Sequence, residues 1–309
     1  MLRVQKAAMA NQSNTVPKKW TIFIMCHNVI WDELYAFDSG FDSRHYTFIK
    51  LGRQNLKYNS HKGYKIISER DCPIYLDLPH YAELTGLYCI YKNRLHDGLD
   101  YVGASHYDKE HRLIGDGSHR NMQELDALRL EADIKRRVLP GSKTNLTELI
   151  ETQITQRQDV HISLESHDVQ KIYDQRITMD ERYPDMFVGN GVNCIDRILQ
   201  DYNDFFGTRY TWEDLKKCDY LTMCNCFLTP VWLFEKLMTF ICPIIESRSL
   251  DIFDTKRKHR LQGGLLERYV AVFFALEKIK TVDLSTVHQP WRKIRPGFLK
   301  KILSRVIGR

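Results

Sequence analysis

The run Thr21-Ile-Phe-Ile-Met-Cys26, followed at once by the polar pair His27-Asn28, decides the fold. An unbroken apolar run of this length predicts a strand that is buried on both faces, which is typical of a parallel sheet. Ligands of open α/β sheets bind beyond the carboxyl ends of such strands. His27 and Asn28 are therefore candidate binding residues.

A strand–helix–strand unit is predicted further along the first half of the chain. Apolar residues recur at helical spacing within Tyr81–Asn93. The next apolar run, Asp100–Ser105, predicts a second buried strand that ends at His106-Tyr107-Asp108. This order is that of a βαβ unit, so we expect an α/β fold with polar residues at the carboxyl ends of its strands.

The remaining patterns complete the predicted secondary structure. Further strands are expected at Tyr46–Leu51, Lys65–Ile67, Ala132–Leu139 and Met223–Leu228. Further helices are expected at Leu146–Gln158, Asp168–Arg182, Pro230–Ser247 and Leu265–Leu276. No internal repeat accompanies them, which favours an ordinary globular body.

The charge of the chain is unevenly distributed. The 309 residues include 45 Lys and Arg and 39 Asp and Glu, for a formal charge of +6. No acid occurs within residues 1–19 or 284–309, so the segment 20–283 carries a net charge of −5. We predict a basic, disordered tail at 1–19, a folded domain at 20–283 and a basic tail at 284–309. A negatively charged body argues against nucleic acid as a partner.

The cysteines indicate a reducing compartment. None of the eight forms a CxxC pair, and several lie in apolar runs, where a free thiol packs as a small hydrophobe. Cys224-x-Cys226 could be half of a metal site, but two small residues on one face of a strand explain it more simply. No secretory signal precedes Trp20, so we expect a cytoplasmic protein.

The basic C-terminal tail has an amphipathic pattern. Between Phe298 and Ile307, apolar residues recur at helical spacing among Lys and Arg residues, and Trp291 precedes them. This pattern is typical of a basic helix in a membrane interface. Residues 291–309 are therefore expected to bind an anionic membrane surface on its cytoplasmic side. A C-terminal helix packed on the protein body is the alternative.

Two polar groups could carry chemistry, although the chain has no P-loop, no G-x-G-x-x-G and no D-x-D. His106-x-Asp108 offers an imidazole and a carboxylate at a strand end, which could bind Mn²⁺ or Mg²⁺ or hydrogen-bond neighbouring loops. Glu267-Arg268 interrupts an otherwise apolar helix. It is either an internal ion pair or a carboxylate that acts in catalysis or ligand binding.

Three motifs occur in a recognisable order. They are E-L-T-G-L-Y-C-I-Y-K-N at 83–93, D-Y-V-G-A-S-H-Y at 100–107 and R-L-Q-G-G-L-L-E-R at 260–268. Shorter matches at Val138–Pro140 and Asn225–Thr229 extend the similarity over residues 20–280. Together they resemble a bacterial family of capsular and exopolysaccharide glycosyltransferases. That family was long described as a domain of unknown function, and it includes galactofuranosyltransferases.

The resemblance implies a GT-A-like fold, in which helices flank a nucleotide-sugar-binding sheet, with the C-terminal amphipathic helix added. It implies transfer of a sugar, with UDP-galactofuranose as one candidate donor, to a hydroxyl of a glycan or lipid-linked glycan. The implied donor-binding residues are His27, Asn28, Glu83, Tyr88, Lys92, His106, Tyr107, Asn225, Arg260 and Arg268. Glu267 is the leading catalytic carboxylate, and Asp108, His161 and Asp168 are further candidates.

Asp108 replaces an arginine of the family and could restore a metal ligand with His106 for Mn²⁺ or Mg²⁺. A metal-independent mechanism, in which Lys and Arg neutralise the diphosphate, stays open. Segment 185–218 is interpreted as an insertion that shapes the acceptor site. The alternative function is a catalytically silent sugar-nucleotide-binding or scaffold subunit of a polysaccharide assembly complex, which the missing D-x-D favours.

Deletion of residues 292–309 is predicted to release the protein from anionic vesicles, because this segment supplies both positive charge and apolar side chains. Vesicle sedimentation measures the binding, and a circular-dichroism melt checks the fold. Unchanged binding by the shortened chain would exclude the anchor, and loss of the melting transition would show that the segment packs on the body.

Overall fold

The computed structural model contains a seven-stranded mixed sheet flanked by helices, which confirms the predicted α/β fold class. It describes residues 17–30, 44–58, 60–107, 109–113, 146–170, 194–218, 220–252, 261–284 and 286–288. The strand predicted at Ala132–Leu139 and the tail helix predicted within 291–309 lie outside these residues. None of the described helices is long and apolar enough to cross a membrane.

The described elements alternate along the chain. The strands are β1 (Trp20–Cys26), β2 (Tyr46–Lys50), β3 (Ile66–Ser68), β4 (Tyr101–His106), β5 (Lys109–Leu113), β6 (Val160–Ser163), β7 (Ser166–Asp168), β8 (Tyr220–Thr222), β9 (Phe227–Pro230), β10 (Lys280–Asp283) and β11 (Thr286–His288). The helices are α1 (Leu84–Lys92), α2 (Leu146–Gln156), α3 (Cys194–Phe206), α4 (Trp212–Leu215), α5 (Val231–Glu246) and α6 (Leu261–Leu276). Single 3₁₀ turns include Glu69–Asp71 and Pro79–Tyr81.

The main sheet has the order β10-β6-β9-β4-β1-β2-β3. β1 is buried along its whole length, as its unbroken apolar run predicts, and it pairs in parallel with both β2 and β4. The chain runs from β1 outward to β2 and β3 and then returns to β4 on the other side of β1. Such a reversal of strand order leaves a crevice at the carboxyl ends of the two central strands, β1 and β4.

β9 joins the sheet in the opposite direction. It pairs antiparallel with β4 through Gly103 and Leu228, and it pairs antiparallel with β6 through Ser163 and Phe227. The amino end of β9 therefore lies at the same edge of the sheet as the carboxyl ends of β1, β4 and β6. The residues that immediately precede β9 are brought to the predicted binding edge by this pairing.

Two apolar layers cover the sheet. Phe23 and Met25 of β1 point into a core formed with α1, α3, α5 and α6. Ile22 and Ile24 point to the other face, where residues of α2 such as Ile150 cover them. The alternation along β1 thus serves two cores, which explains why this strand has no polar face.

Some of the predicted elements and boundaries differ from the structure. The strand predicted at Met223–Leu228 is wrong over its first half, because Cys224 and Asn225 have left-handed φ angles of 56° and 49° and form a turn. Strand β7 ends at Asp168 and a helix begins at residue 169, one residue later than predicted; the continuation of that helix lies outside the described residues. Within segment 185–218, helix α3 packs in the main core, and residues 185–193 lie outside the described residues. β11 pairs with β5 beyond residue 283, where the tail was predicted to begin.

Gly263→Ala is predicted to lower the free energy of unfolding by about 1–3 kcal/mol, because overpacking forces the backbone apart. The added Cβ would lie 2.7 Å from Cβ of Ala82 and 3.2 Å from the carbonyl oxygen of Tyr81. The adjacent Gly264 is the matched control, since its Cβ would meet only Nη1 of Arg268 at 3.9 Å. Urea unfolding compares the two variants, and equal stabilities would contradict the close packing of α6 on the Pro79–Tyr81 turn.

Candidate active site

A cleft opens at the carboxyl ends of β1 and β4, where the strand order reverses. Its volume is about 690 Å³, and its lining includes His27 and Asn28 after β1, Gly52 and Arg53 after β2, and Tyr107 after β4. The rings of His27 and Tyr107 meet edge to face with their centroids 6.0 Å apart. Three of the predicted donor-binding residues are therefore brought together in one cleft.

A buried carboxylate stands behind this cleft. Oε1 of Glu83 lies 3.3 Å from Nε2 of His27 and 4.0 Å from Nδ1 of His106, and only 7% of the Glu83 side chain is exposed. The Glu83 carboxylate thus lies between the imidazole of His27, which follows β1, and the imidazole of His106, which is the last residue of β4. This arrangement brings a fourth and a fifth predicted residue to the same edge.

The position of Glu83 depends on an unusual turn before α1. Ala82 has a φ angle of 53°, in a region that favours glycine, and its carbonyl accepts a hydrogen bond from the Thr85 hydroxyl at 3.0 Å. Gly263 of α6 packs against Tyr81 and Ala82 so closely that a side chain there would clash. Strained backbone held by tight packing is a recurrent feature of functional sites.

Glu69 fixes the wall of the cleft that follows β2. Its Oε1 accepts a hydrogen bond of 2.6 Å from the amide of Gly52, whose φ angle of 69° requires a glycine. Burial raises the pKa of the Glu69 carboxyl above its usual range, and the Gly52 amide opposes this effect. Arg53, which follows Gly52 in the chain, forms an ion pair with Asp77 across the cleft mouth.

The turn before β9 forms the other side of the edge. Asn225 lies two residues before β9, and therefore at the edge of the sheet where β4 ends. Asn225 is 2% exposed, and its Oδ1 has no hydrogen-bond partner among the residues described. Oε1 of Glu267 accepts a hydrogen bond of 2.8 Å from the amide of Cys224. Glu267 thus reaches this edge from α6.

Several predicted site residues lie away from this edge or have structural contacts. Tyr88 donates a hydrogen bond of 2.9 Å to Glu246 of α5, and Nζ of Lys92 lies 2.7 Å from the same carboxylate. These two residues therefore link α1 to α5 and do not line the cleft. The buried guanidinium of Arg268 donates a bond of 2.8 Å to the carbonyl of Gly264 in its own helix.

His161 of β6 is fully buried and does not line the cleft. Its Nε2 lies 3.0 Å from the Thr222 hydroxyl, and its ring stacks on Phe274 at a centroid distance of 4.1 Å. Burial lowers the pKa of His161 to about 3, so the imidazole is neutral in the folded protein. Two other predicted residues, Asp108 and Arg260, lie outside the described part of the chain.

Arg53 is a cleft residue that the sequence reasoning missed. It follows Gly52 directly after the predicted second strand, so the rule that ligands bind beyond strand ends could have found it. Its guanidinium is largely exposed at the cleft mouth, where an anionic ligand could compete with Asp77 for it.

Comparison with known proteins gives a family. Residues 39–278 match the family model described as Domain of unknown function (DUF4422). The chain belongs to this family. The matched residues cover β2 through the whole of α6 and include the three motifs quoted above.

Other comparisons add little to the DUF4422 family assignment. No curated protein matches the sequence significantly. The chain is similar to the apo structure of WbbM, a bifunctional glycosyltransferase, with a TM-score of 0.49 and 14% identity. That similarity covers 88% of this chain but 45% of the WbbM chain, so the present sequence corresponds to less than half of that protein. A TM-score of this size carries no argument about function.

The stability of the protein is predicted to fall as the pH drops below about 6.5, in part because of His161. In the unfolded chain the His161 imidazole is protonated at the ordinary histidine pKa, whereas in the folded chain it is protonated only at about pH 3. As the pH falls from the unfolded-state pKa of His161 towards its folded-state pKa, the free energy of unfolding therefore decreases by up to about 1.4 kcal/mol per pH unit. Urea unfolding at several pH values measures the slope.

His161→Gln keeps a side chain that can bond Thr222 but cannot titrate, and it is expected to flatten that slope. His61→Gln is the control, because His61 is exposed. An unchanged slope in the His161 variant would contradict a buried neutral imidazole.

Proposed function

We propose that this DUF4422 protein transfers a glycosyl residue from a nucleotide sugar to a hydroxyl of a glycan. The observation that carries the proposal is the cleft where the strand order reverses, lined by His27, Asn28 and Tyr107 and backed by the buried carboxylate of Glu83. A crevice at this position of an open α/β sheet is where nucleotides bind. The motif resemblance noted above points to the same reaction.

The two sides of the edge have different roles in this proposal. The nucleotide occupies the cleft, with Asn28 and His27 towards the nucleoside and Arg53 towards the diphosphate, whose charge grows as the sugar departs. Glu83 holds the imidazoles of His27 and His106 in place. These contacts position the donor, and they take no part in removing the proton from the acceptor hydroxyl.

Glu267 is the proposed general base on the other side of the edge. Its carboxylate is half-buried and is held by the Cys224 amide, so its position is defined before an acceptor arrives. In an inverting transfer it would remove the proton of the acceptor hydroxyl as the glycosidic bond forms. The departing nucleoside diphosphate takes the electron pair of the broken bond.

Binding of Mn²⁺ or Mg²⁺ by His106 and Asp108 stays a prediction, because Asp108 lies outside the described residues. The described carboxylate beside His106 is that of Glu83, which lies between two imidazoles, whereas these ions prefer oxygen ligands. We therefore assign no step of the transfer to either ion at His106.

The finer proposal follows the motif resemblance. The donor is UDP-linked, with UDP-galactofuranose as a candidate, and the acceptor is a growing capsular, O-antigen or exopolysaccharide glycan that is carried on a lipid. The basic segment 291–309 would hold the enzyme at the cytoplasmic face of the membrane, beside that acceptor. A positively charged amphipathic segment suits this position.

Incubation with a panel of UDP- and GDP-sugars tests the proposal, with release of nucleoside diphosphate as the measured product. Glu267→Gln is expected to reduce turnover at least about 100-fold, because a general base typically contributes that much. It should retain the shift in melting temperature that the nucleotide causes, since the donor cleft lies on the other side of the edge.

Glu213→Gln is the matched control, because Glu213 is a surface carboxylate with 74% of its side chain exposed. Near-normal turnover by Glu267→Gln would exclude Glu267 as the base. Nucleotide binding by the parent protein without any turnover would favour the catalytically silent binding subunit.

A further inference from the structure

A carboxylate, an imidazole and a thiol meet beside the turn that Glu267 holds. Glu165, His167 and Cys224 each offer one ligand atom, and these atoms all lie within 4.8 Å of one another. Nε2 of His167 is 3.1 Å from Oε1 of Glu165. Among the residues that the structure describes, this is the group of His, Cys, Asp and Glu side chains spaced to hold a metal ion.

The backbone fixes the three residues independently of any ion. Glu165 lies in the turn between β6 and β7, and its carbonyl accepts bonds from the Met223 amide at 2.8 Å and the Ser163 hydroxyl at 3.1 Å. His167 is the central residue of β7, which pairs with β8. Cys224 follows β8 by two residues, so this pairing brings it beside Glu165.

The turn at Cys224 is held in a costly conformation. Cys224 and Asn225 both have left-handed φ angles, which cost of order 1–3 kcal/mol each in residues other than glycine. The carboxylate of Glu267 holds the turn through the Cys224 amide. The turn therefore fixes the position of the thiol beside Glu165 and His167.

We propose that Glu165, His167 and Cys224 bind a zinc-class divalent cation through three protein ligands, with a further position open. Sulfur and imidazole nitrogen select zinc over magnesium, calcium or manganese. Neighbouring ligands of a tetrahedral zinc ion lie roughly 3.3–3.8 Å apart. The Glu165–His167 distance of 3.1 Å is near this range already, and the other two distances, which are at most 4.8 Å, require little closure.

The burial of the three side chains suits an ion that enters from solvent. Glu165 is buried, whereas His167 and Cys224 are half-buried, which leaves one side of the group accessible. Glu267 supports the cysteine through the backbone, as outer groups support the ligands of many metal sites. The proposal does not depend on the function proposed above, because binding is measured without any sugar.

The test uses the full chain after removal of metal with a chelator. Calorimetric titration with Zn²⁺ is expected to give one ion per chain, and Co²⁺ is expected to give the charge-transfer absorption of a cobalt–thiolate bond. Cys224→Gly removes the thiol and suits the left-handed backbone, so it should melt without metal at or above the parent temperature. It is expected to weaken Zn²⁺ binding by about 100-fold or more and to abolish the absorption.

Two further variants complete the experiment. His167→Gln removes the imidazole ligand and is expected to weaken Zn²⁺ binding likewise. Cys72→Ser removes a half-buried thiol outside the group and should bind both ions as the parent does. The site is overturned if the parent binds no stoichiometric Zn²⁺, if Cys224→Gly and His167→Gln both bind it normally, or if Cys72→Ser abolishes the cobalt–thiolate absorption.

Discussion

The close approach of β4 and β9 at Gly103 is the contact on which the rest of the molecule depends. A Cβ at Gly103 would lie 2.4 Å from the carbonyl oxygen of Phe227, so the antiparallel pairing at this point requires a residue without a side chain. The pairing places β9, which runs opposite to its neighbours, between β4 and β6, which run in the same direction. It also places the Cys224–Asn225 turn at the edge where β1 and β4 end.

The sequence predicted strands β1, β3 and β4 well, and burial on both faces leaves the strongest signal in β1 and β4. The run at Thr21–Cys26, the strand end at His106 and the strand at Lys65–Ile67 all lie within a residue or so of the observed elements. His27, Asn28 and Tyr107 could be placed in one cleft from strand ends alone. Their contact with Glu83 could not, since it depends on the Ala82 turn and on packing by α6.

The antiparallel strand β9 and the turn before it were harder to predict for physical reasons. The apolar residues from Met223 to Leu228 are buried, but they are buried in a turn followed by a strand, and left-handed backbone at Cys224 leaves no mark on the hydrophobic pattern. His161 and Lys92 carry polar groups that are usual in active sites, yet both serve packing or helix contacts. The group of Glu165, His167 and Cys224 is spread over 60 positions and becomes visible only through the β7–β8 pairing.

The edge strand β10 has a consequence for the synthesis of the protein. It comes from the C-terminal part of the described chain and covers β6, whose four residues are all buried. During synthesis, the backbone edge of β6 that pairs with β10 therefore stays unpaired until residues 280–283 have left the ribosome. Such an edge is open to pairing with another nascent chain until β10 covers it.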